Sequence, residues 1–209
     1  MSRSVKTHWD QIYTRQSAHS VSWYQPRATQ ALAWIAGTGG SLIDVGGGTS
    51  TLFDELVLAG NHDVTLLDIS DAALNIVWRR LGRLGRLGRL ASSVRWITGD
   101  VTTVALPAHA YDVWHDRAVF HFLTEEADRQ AYVAQLQHAM KPGGHVIIAT
   151  FAPDGPAQCS GLPVVRYSPA TLQTALGPAF HSIEHAHELH ETPAGAMQPF
   201  LYCHFIRRA

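Results

Sequence analysis

The chain has 209 residues, of which 46% are hydrophobic and 16% are charged, and its formal net charge is −1. This length fits one domain with a large core, and this composition excludes an intrinsically disordered chain. A net charge near zero gives no basic surface of the kind that nucleic-acid-binding domains carry, and no apolar run is long enough to span a membrane. Two cysteines, Cys159 and Cys203, are too few for a disulfide framework, so we expect a cytoplasmic protein without a signal segment.

Apolar residues recur at helical or strand spacing along the chain. The predicted helices cover residues 4–16, 27–36, 50–59, 71–81, 125–140 and 169–176. The predicted strands cover residues 41–45, 63–68, 94–97, 111–115, 145–151, 180–190 and 198–207. Strands that alternate with helices predict a doubly wound α/β fold, here a mostly parallel seven-stranded sheet with a C-terminal antiparallel hairpin. We expect one globular domain, in which residues 1–40 form an N-terminal helical lid over residues 41–209.

The stretch Leu42–Ser50 is an apolar run that contains Asp44 and continues with three glycines, Gly46, Gly47 and Gly48. Glycines at a strand end let backbone N–H groups approach a ligand, and the following helix N-terminus favours an anionic group. The stretch is therefore either a ligand-binding loop or a plain turn between a strand and a helix. It does not complete the dinucleotide pattern G-x-G-x-x-G, because a threonine stands at the third glycine position.

Two further acids follow the next predicted strands. Asp68 ends the second strand and suits hydrogen bonding to the hydroxyl groups of a ribose. A helix N-cap is the structural alternative for Asp68, although Ser70 and Asp71 stand nearer to the helix start. Asp100 follows the third strand. Together with Asp44, these residues place an acid at the ends of three successive strands, where doubly wound sheets bind their ligands.

The pattern Asp44-x-Gly-x-Gly, the acids Asp68 and Asp100, and the turn 141–144 resemble class I S-adenosylmethionine-dependent methyltransferases. The resemblance covers about residues 41–151 and implies a Rossmann-like methyltransferase fold with S-adenosylmethionine as the cofactor. It also implies that the acid after the third strand meets the adenine amino group. The expected cofactor-binding residues are Asp44, Gly46, Gly47, Gly48, Asp68, Ile69, Asp100, Val101 and His115.

The fourth strand ends in Trp114-His115-Asp116-Arg117, where this family places the transferred methyl group. The pair Asp-Arg is similar to the W-D-R-G-A-L pattern of thiopurine-type small-molecule thiol methyltransferases, but His115 is inserted before the acid and Val119 stands where that pattern has leucine. Lysine methyltransferases of elongation factors carry D-K-G-T at the same place. The acceptor class therefore stays open at this point.

Two residues of this strand end are candidate catalytic residues. His115 has the intrinsic pKa range of a general base, and Arg117 could hold an acceptor carboxylate or else pair with Asp116. His121 is either an acceptor contact or a packed histidine, and the aromatic pair Trp23 and Tyr24 could cover the cofactor and the acceptor. The expected substrate-binding residues are Trp23, Tyr24, Asp116, Arg117, His121 and Cys159.

The main functional hypothesis is a methyltransferase that uses a small nucleophilic acceptor such as a thiol. The alternatives are a protein lysine methyltransferase and a nucleoside-binding regulator without turnover. We expect a monomer that binds neither nucleic acid nor membranes. No metal site is expected, because the C-terminal histidines fall on opposite faces of a strand. The tract Leu81–Leu90, with its period of three, is interpreted as a surface extension or as a basic arm.

Overall fold

The computed structural model describes residues 3–60, 62–83 and 94–209. Its helices are α1 (Arg3–Arg15), α2 (Thr29–Ile35), α3 (Leu52–Ala59), α4 (Asp71–Arg83), α5 (Glu126–Ala139) and α6 (Pro169–Leu176), with a 3₁₀ turn at Phe120–Phe122. Its strands are β1 (Gly40–Val45), β2 (His62–Asp68), β3 (Val94–Thr98), β4 (Tyr111–Arg117), β5 (Met140–Phe151), β6 (Gln158–Cys159), β7 (Leu162–Pro163), β8 (Phe180–Glu191) and β9 (Met197–Arg207).

Seven strands form one sheet in the order β3-β2-β1-β4-β5-β9-β8. Strands β1 to β5 are parallel, β9 runs antiparallel to β5, and β8 runs antiparallel to β9. The predicted fold class is therefore confirmed. From β1 the chain moves outward to β2 and β3 and then returns to β4 on the other side of β1. Strand order reverses between β1 and β4, and ligands bind at such a point in doubly wound sheets.

Both faces of the central strands are buried, as expected for parallel strands covered by helices. In β1, Leu42 belongs to the core beneath α2, α3 and α4, whereas Ile43 belongs to the core beneath α5 and α6. Burying one such side chain completely contributes roughly 1.5–3 kcal/mol. The apolar run of β1 thus anchors the sheet from both sides and fixes the position of the glycine loop that follows it.

Two local features differ from the sequence expectation. The predicted turn 141–144 lies inside β5 as a bulge, because Tyr111 pairs with Met140 while Val113 pairs with His145. The segment after β5, predicted as a loop, contains the short hairpin of β6 and β7. The tract Leu81–Leu90 enters α4, but from residue 84 onward it lies outside the described residues.

The N-terminal helix packs on the start of α4 through polar contacts. Lys6 Nζ lies 2.8 Å from a carboxylate oxygen of Asp10 and 2.8 Å from one of Asp71. The Ser70 hydroxyl donates to Asp10 Oδ1 at 2.6 Å. These contacts hold α1 against the carboxyl edge of the sheet. Among the described residues, no helix combines the length and the apolar character that a bilayer crossing requires.

Candidate functional site

The larger of two neighbouring cavities lies at the carboxyl ends of β1 to β4 and has a volume of about 800 Å³, including the part open to solvent. One end, called the acidic end, is lined by Asp68, Ile69, Gly99, Asp100 and Val101. The other, called the aromatic end, is lined by Trp9, Trp23, Phe122, Phe151, Cys159, Gln198 and Phe200. Between them lie Arg117, Ala118 and Val119 at the end of β4. The predicted edge of the sheet thus carries a cavity whose lining is acidic and aliphatic at the ends of β2 and β3 and mainly aromatic where α1, β5 and β9 contribute.

The smaller cavity, of about 500 Å³, lies between the glycine loop and the segment 23–28. It is more polar than its neighbour, and its lining includes Asp44, His115 and Arg117. Gly46, Trp23 and Arg117 line both cavities, so the two spaces are adjacent.

Two residues of the glycine loop have backbone conformations that are energetically unfavourable for residues other than glycine. Gly46 and Gly48 have φ of 61° and 51°, in the left-handed region. A side chain at Gly46 would overlap Val119, and one at Gly47 would overlap Leu66 and Asp44. The loop is fastened to β2, because the Gly46 N–H donates to the Leu67 carbonyl at 2.7 Å. The glycines therefore serve close packing of the loop between β2 and the end of β4.

Asp68 is buried and oriented by two backbone groups. Its Oδ2 accepts from the Gly48 N–H at 2.8 Å, and its Oδ1 accepts from the Ser70 N–H at 2.8 Å. Burial raises the pKa of this carboxyl to about 7, although the two backbone hydrogen bonds oppose the shift. The Ser70 hydroxyl accepts from the Ala73 N–H at the start of α4, so Ser70 fills the capping position that was the alternative for Asp68.

Asp100 is held by a turn of its own. Its Oδ1 accepts from both the backbone N–H and the hydroxyl of Thr102, at 2.9 Å and 2.7 Å. Next to the two acids, Ile69 and Val101 give the acidic end apolar walls. Carboxylates beside apolar walls suit a flat base linked to a sugar, because hydrogen bonds and packing act on different parts of such a ligand.

Asp44 and His115 form a buried pair in the lining of the smaller cavity. They are neighbours in the parallel register of β1 and β4, and His115 Nδ1 lies 2.7 Å from Asp44 Oδ1. Their other polar atoms, Asp44 Oδ2 and His115 Nε2, are buried and have no hydrogen-bond partner among the described residues. Neither residue lines the larger cavity.

Arg117 reaches across the mouth of both cavities. Its Nη1 donates to the Trp23 carbonyl at 2.9 Å, its Nε donates to the Tyr202 hydroxyl at 2.9 Å, and its guanidinium lies 4.3 Å from the centre of the Phe200 ring. Glu188 Oε1 lies 3.8 Å from Nη2, beyond hydrogen-bond distance. Nη2 is buried and finds no hydrogen-bond partner in the described part of the chain.

Asp116 points to the opposite face of the sheet from Arg117, so the expected alternative of an Asp116–Arg117 pair is wrong. Its carboxylate accepts from the Val119 N–H, the Phe120 N–H and the Tyr132 hydroxyl at 2.8, 3.1 and 2.7 Å. Burial raises its pKa to about 6. These hydrogen bonds secure a turn in which Ala118 has φ of 72°, a conformation that costs a non-glycine residue about 1–2 kcal/mol. Asp116 lines neither cavity and acts on the site through this turn.

The other predicted acceptor contacts divide between the two cavities and the core. Trp23 lines both cavities, Tyr24 lines the smaller one and Cys159 lines the larger one. His121 lies in the 3₁₀ turn, fully buried and outside both linings, with its Nδ1 accepting from the Phe151 N–H at 3.4 Å. Burial, with a smaller effect from Arg117, lowers the pKa of His121 to about 3, so its ring is neutral. Burial also raises the pKa of the Cys159 thiol.

Gln198 and Phe200 are among the lining residues of the larger cavity that sequence reasoning missed. The alternation of strand side chains places Gln198, Phe200 and Tyr202 on one face of β9. The alternation could be read from the sequence. The sequence did not indicate, however, that this face of β9 lies near the carboxyl ends of β1 to β4.

Comparison with known proteins identifies the family. The family model described as "Methyltransferase domain" matches residues 43–148, about half of the chain. A comparison with curated proteins gives no match. Among solved structures, the one from a study of the conversion of a disulfide bond into a thioacetal group during echinomycin biosynthesis has a TM-score of 0.74 at 20% identity. That alignment covers 98% of this chain and 92% of the other.

Two further solved structures contain S-adenosylhomocysteine, the demethylated product. The 1,6-didemethyltoxoflavin-N1-methyltransferase of Burkholderia thailandensis has a TM-score of 0.70 at 18% identity. The alignment covers 99% of this chain and 85% of that protein. The N-methyltransferase NodS of Bradyrhizobium japonicum WM9 has a TM-score of 0.67 at 16% identity, with 97% of this chain and 100% of NodS aligned. At identities of 16–20%, the similarity to these solved structures establishes only the fold. The match of residues 43–148 to the family model establishes the family. The chain belongs to the S-adenosylmethionine-dependent methyltransferases of the methyltransferase domain family.

Proposed function

We propose that this methyltransferase transfers the methyl group to a small nucleophile bound at the aromatic end of the larger cavity. The observation that carries the proposal is the lining of this cavity, which joins the acids at the ends of β2 and β3 to aromatic side chains from α1, β5 and β9. A cofactor held at the acidic end would direct its reactive group toward the aromatic end. The 1,6-didemethyltoxoflavin-N1-methyltransferase, which was crystallised with 1,6-didemethyltoxoflavin bound, supports a small acceptor here.

The residues present fit the expected cofactor. The smaller cavity offers a carboxylate oxygen, Asp44 Oδ2, and a guanidinium nitrogen, Arg117 Nη2, which are both buried without a hydrogen-bond partner among the described residues. Buried polar atoms without a hydrogen-bond partner are costly, so a ligand that carries both an ammonium and a carboxylate would satisfy both atoms. The amino-acid end of S-adenosylmethionine carries these two groups. We assign that end to the smaller cavity.

The nucleoside end is assigned to the acidic end of the larger cavity. Asp68, fixed by Gly48 and Ser70, would accept hydrogen bonds from the ribose hydroxyls. Asp100 would accept from the adenine amino group, and Ile69 and Val101 would pack on the base. In this assignment the point where the two cavities meet, beside Arg117 and Gly46, lies between the two ends of the cofactor.

When bound, S-adenosylmethionine supplies a methyl group on a positively charged sulfur. The protein's own part is to position this group and the acceptor in line, which can supply several kcal/mol of the barrier. Trp9 contacts Trp23 and Phe122 edge to face, with ring centres 5.7 Å and 5.1 Å apart. These rings would exclude water from the reacting atoms. The Asp44–His115 pair would hold the cofactor end in place.

The expected thiol acceptor remains a prediction. Within the described lining, the aromatic end offers no side chain that would take a proton from a thiol at neutral pH, because Cys159 is itself a buried thiol and His115 faces the other cavity. A thiol acceptor would therefore have to bind as the thiolate, which the guanidinium of Arg117 would favour.

The experiment is incubation of the purified protein with S-adenosylmethionine labelled in the methyl group. Three sets of acceptors are tested in separate incubations. They are a mixture of small thiols and heterocycles, a small-molecule extract, and a set of denatured and native proteins. We expect label in small molecules and a lower rate for Arg117→Lys, with Lys141→Arg as the matched surface control. Label in protein lysines would favour the protein methyltransferase alternative. Tight cofactor binding without transfer to any of them would favour the regulator.

A further inference from the structure

We propose that the acceptor is a neutral, flat aromatic heterocycle that donates a ring N–H to Gln198 Oε1. The inference rests on the proposed function and adds the substrate class. It depends on three properties of the aromatic end: one unsatisfied acceptor atom, walls made of aromatic rings, and the lack of a base.

The unsatisfied atom is Gln198 Oε1. Gln198 stands near the start of β9 and lines the larger cavity on the same face as Phe200. Its Oε1 is buried and has no hydrogen-bond partner among the described side chains and backbone groups. A buried carbonyl oxygen without a donor is unfavourable, so a ligand that brings an N–H or O–H to this position gains a hydrogen bond. A ligand without a donor leaves the oxygen unsatisfied.

Aromatic rings from five separate segments line the cavity that Gln198 also lines. Phe151 and Phe200 meet edge to face at 4.9 Å, and Trp9 meets Trp23 and Phe122 in the same manner. Flat rings gain stacking and edge-to-face contacts in such a space that saturated chains do not gain. The walls therefore select for a flat aromatic ligand.

Nearby positive charges disfavour a cationic acceptor. Aromatic walls also attract cations, but the guanidinium of Arg117 already lies over the Phe200 ring at 4.3 Å. A second positive charge at the aromatic end would be repelled by Arg117 and by the sulfonium of the cofactor. An anionic ring, in turn, would have lost the N–H that Gln198 Oε1 accepts. The acceptor of this proposal is therefore neutral when it binds.

The lack of a base determines the reacting atom. In the part of the chain that the structure describes, the aromatic end is lined by aromatic side chains, Cys159 and Gln198, and His121 lies outside the lining. The acceptor must then offer a lone pair that is free at neutral pH, such as that of a ring nitrogen or of a sulfur attached to the ring. This lone pair bonds to the methyl carbon, and the carbon–sulfur bond of the cofactor breaks with its electron pair remaining on that sulfur. The methylated ring is then a cation, and its ring N–H proton passes to water once the product has left the cavity.

Gln198→Leu tests the inference in protein saturated with S-adenosylhomocysteine. Titrations use benzimidazole, which has a ring N–H, and 1-methylbenzimidazole, which has none, and follow the fluorescence of Trp9 and Trp23. We expect the wild type to bind benzimidazole roughly tenfold more tightly than 1-methylbenzimidazole, as expected for one hydrogen bond. Gln198→Leu should abolish this preference, and Gln137→Leu, an exposed glutamine on α5, should retain it. Mass spectrometry after incubation with S-adenosylmethionine and benzimidazole or benzimidazole-2-thiol then distinguishes nitrogen from sulfur as the methylated atom.

Equal affinity of both benzimidazoles for the wild type, or a preference that persists in Gln198→Leu, would overturn the inference. So would failure of both to bind at millimolar concentration while S-adenosylhomocysteine binds normally, or transfer only to aliphatic thiols. The proposed function fails in a different way, namely through the absence of methyl transfer to any small molecule.

Discussion

At the scale of single residues, the site is defined by ionisable side chains at strand ends. Asp44 and Asp68 are buried, and the side chain of Arg117 is 10% exposed. Asp44 Oδ2 and Arg117 Nη2 are buried atoms without a hydrogen-bond partner among the described residues. Such groups reduce the stability of the free protein, and a complementary ligand recovers that cost. Their substitution should therefore change both cofactor affinity and the free energy of unfolding, and the two effects are measured separately.

Asp68→Ala should weaken the binding of S-adenosylhomocysteine by about 1–3 kcal/mol, because the ligand hydroxyls lose a charged acceptor. It should also lower the free energy of unfolding of the free protein, since the N–H groups of Gly48 and Ser70 lose their partner. Calorimetric titration and urea unfolding measure the two effects. Asp63→Ala, an exposed acid in the same strand, is the matched control. An unchanged dissociation constant would limit Asp68 to a structural role.

The raised pKa of Asp68 predicts a pH effect. Because its folded-state pKa is about 7 and its unfolded value is near 3.8, the protonated form favours the fold. Its contribution is fully present below about pH 4 and is lost as the pH rises through 7. Between about pH 5 and 7, the free energy of unfolding of the wild type should fall relative to that of Asp68→Ala, at a slope that approaches about 1.4 kcal/mol per pH unit near pH 5 and flattens above pH 7. Asp116 affects both proteins alike, so parallel curves would contradict the assignment.

His115→Ala should raise the dissociation constant of the cofactor more than it raises the KM of the acceptor, because His115 lies with Asp44 in the smaller cavity. A double-mutant cycle with Asp44→Asn should give a coupling of about 0.5–3 kcal/mol in cofactor binding. His181→Ala, an exposed histidine in β8, is the control. A large loss of turnover with unchanged cofactor affinity would instead restore the general-base role expected from the sequence.

At the scale of elements, α1 is the wall that closes the larger cavity. Its Trp9 and Tyr13 line the cavity, while Lys6 and Asp10 hold the helix on the start of α4. The ion pair of Lys6 and Asp71 is exposed, and such pairs contribute little to stability. The helix is therefore retained by the Asp10–Ser70 hydrogen bond together with its aromatic contacts, and we expect its position to respond to what the cavity contains.

Trp9→Ala removes contacts with Trp23 and Phe122 and should open this wall. We expect faster amide hydrogen exchange along α1 in the free protein and weaker binding of acceptor and cofactor together. Saturating S-adenosylhomocysteine should slow exchange in the wild type more than in the variant. Trp78→Ala on α4, outside both cavities, should reduce stability through Trp96 without changing exchange in α1. Identical exchange in the wild type and Trp9→Ala would show that Trp9 does not retain the helix.

At the scale of the whole molecule, binding and folding are linked through the strand ends. A ligand that binds only the folded chain stabilises it by mass action, by about 2.7 kcal/mol at one hundred times its dissociation constant. S-adenosylmethionine and S-adenosylhomocysteine should therefore raise the melting temperature in a concentration-dependent manner. Adenosine alone and methionine alone should have smaller effects, because each fills only one cavity. No shift at millimolar ligand would contradict the assignment of both cavities.

The sequence alone predicted the element order, the seven-stranded sheet, the glycine loop and the acids at three strand ends. These features depend on local periodicity and on the rule that parallel strands end at one edge, so they can be read without knowledge of distant contacts. The opposite orientations of Asp116 and Arg117 also follow from strand alternation, although the sequence expectation allowed them to pair.

Only the tertiary structure decided which groups meet. The pairing of Asp44 with His115 depends on the register between β1 and β4, and the position of Arg117 depends on Trp23 and Tyr202, which lie 94 and 85 residues away in the chain. Gln198 and Phe200 reach the cavity because β9 pairs antiparallel with β5. A pattern of residue types specifies an element and its buried face, but register and long-range packing determine which side chains share a cavity, and here they separate the site into a cofactor side and an acceptor side.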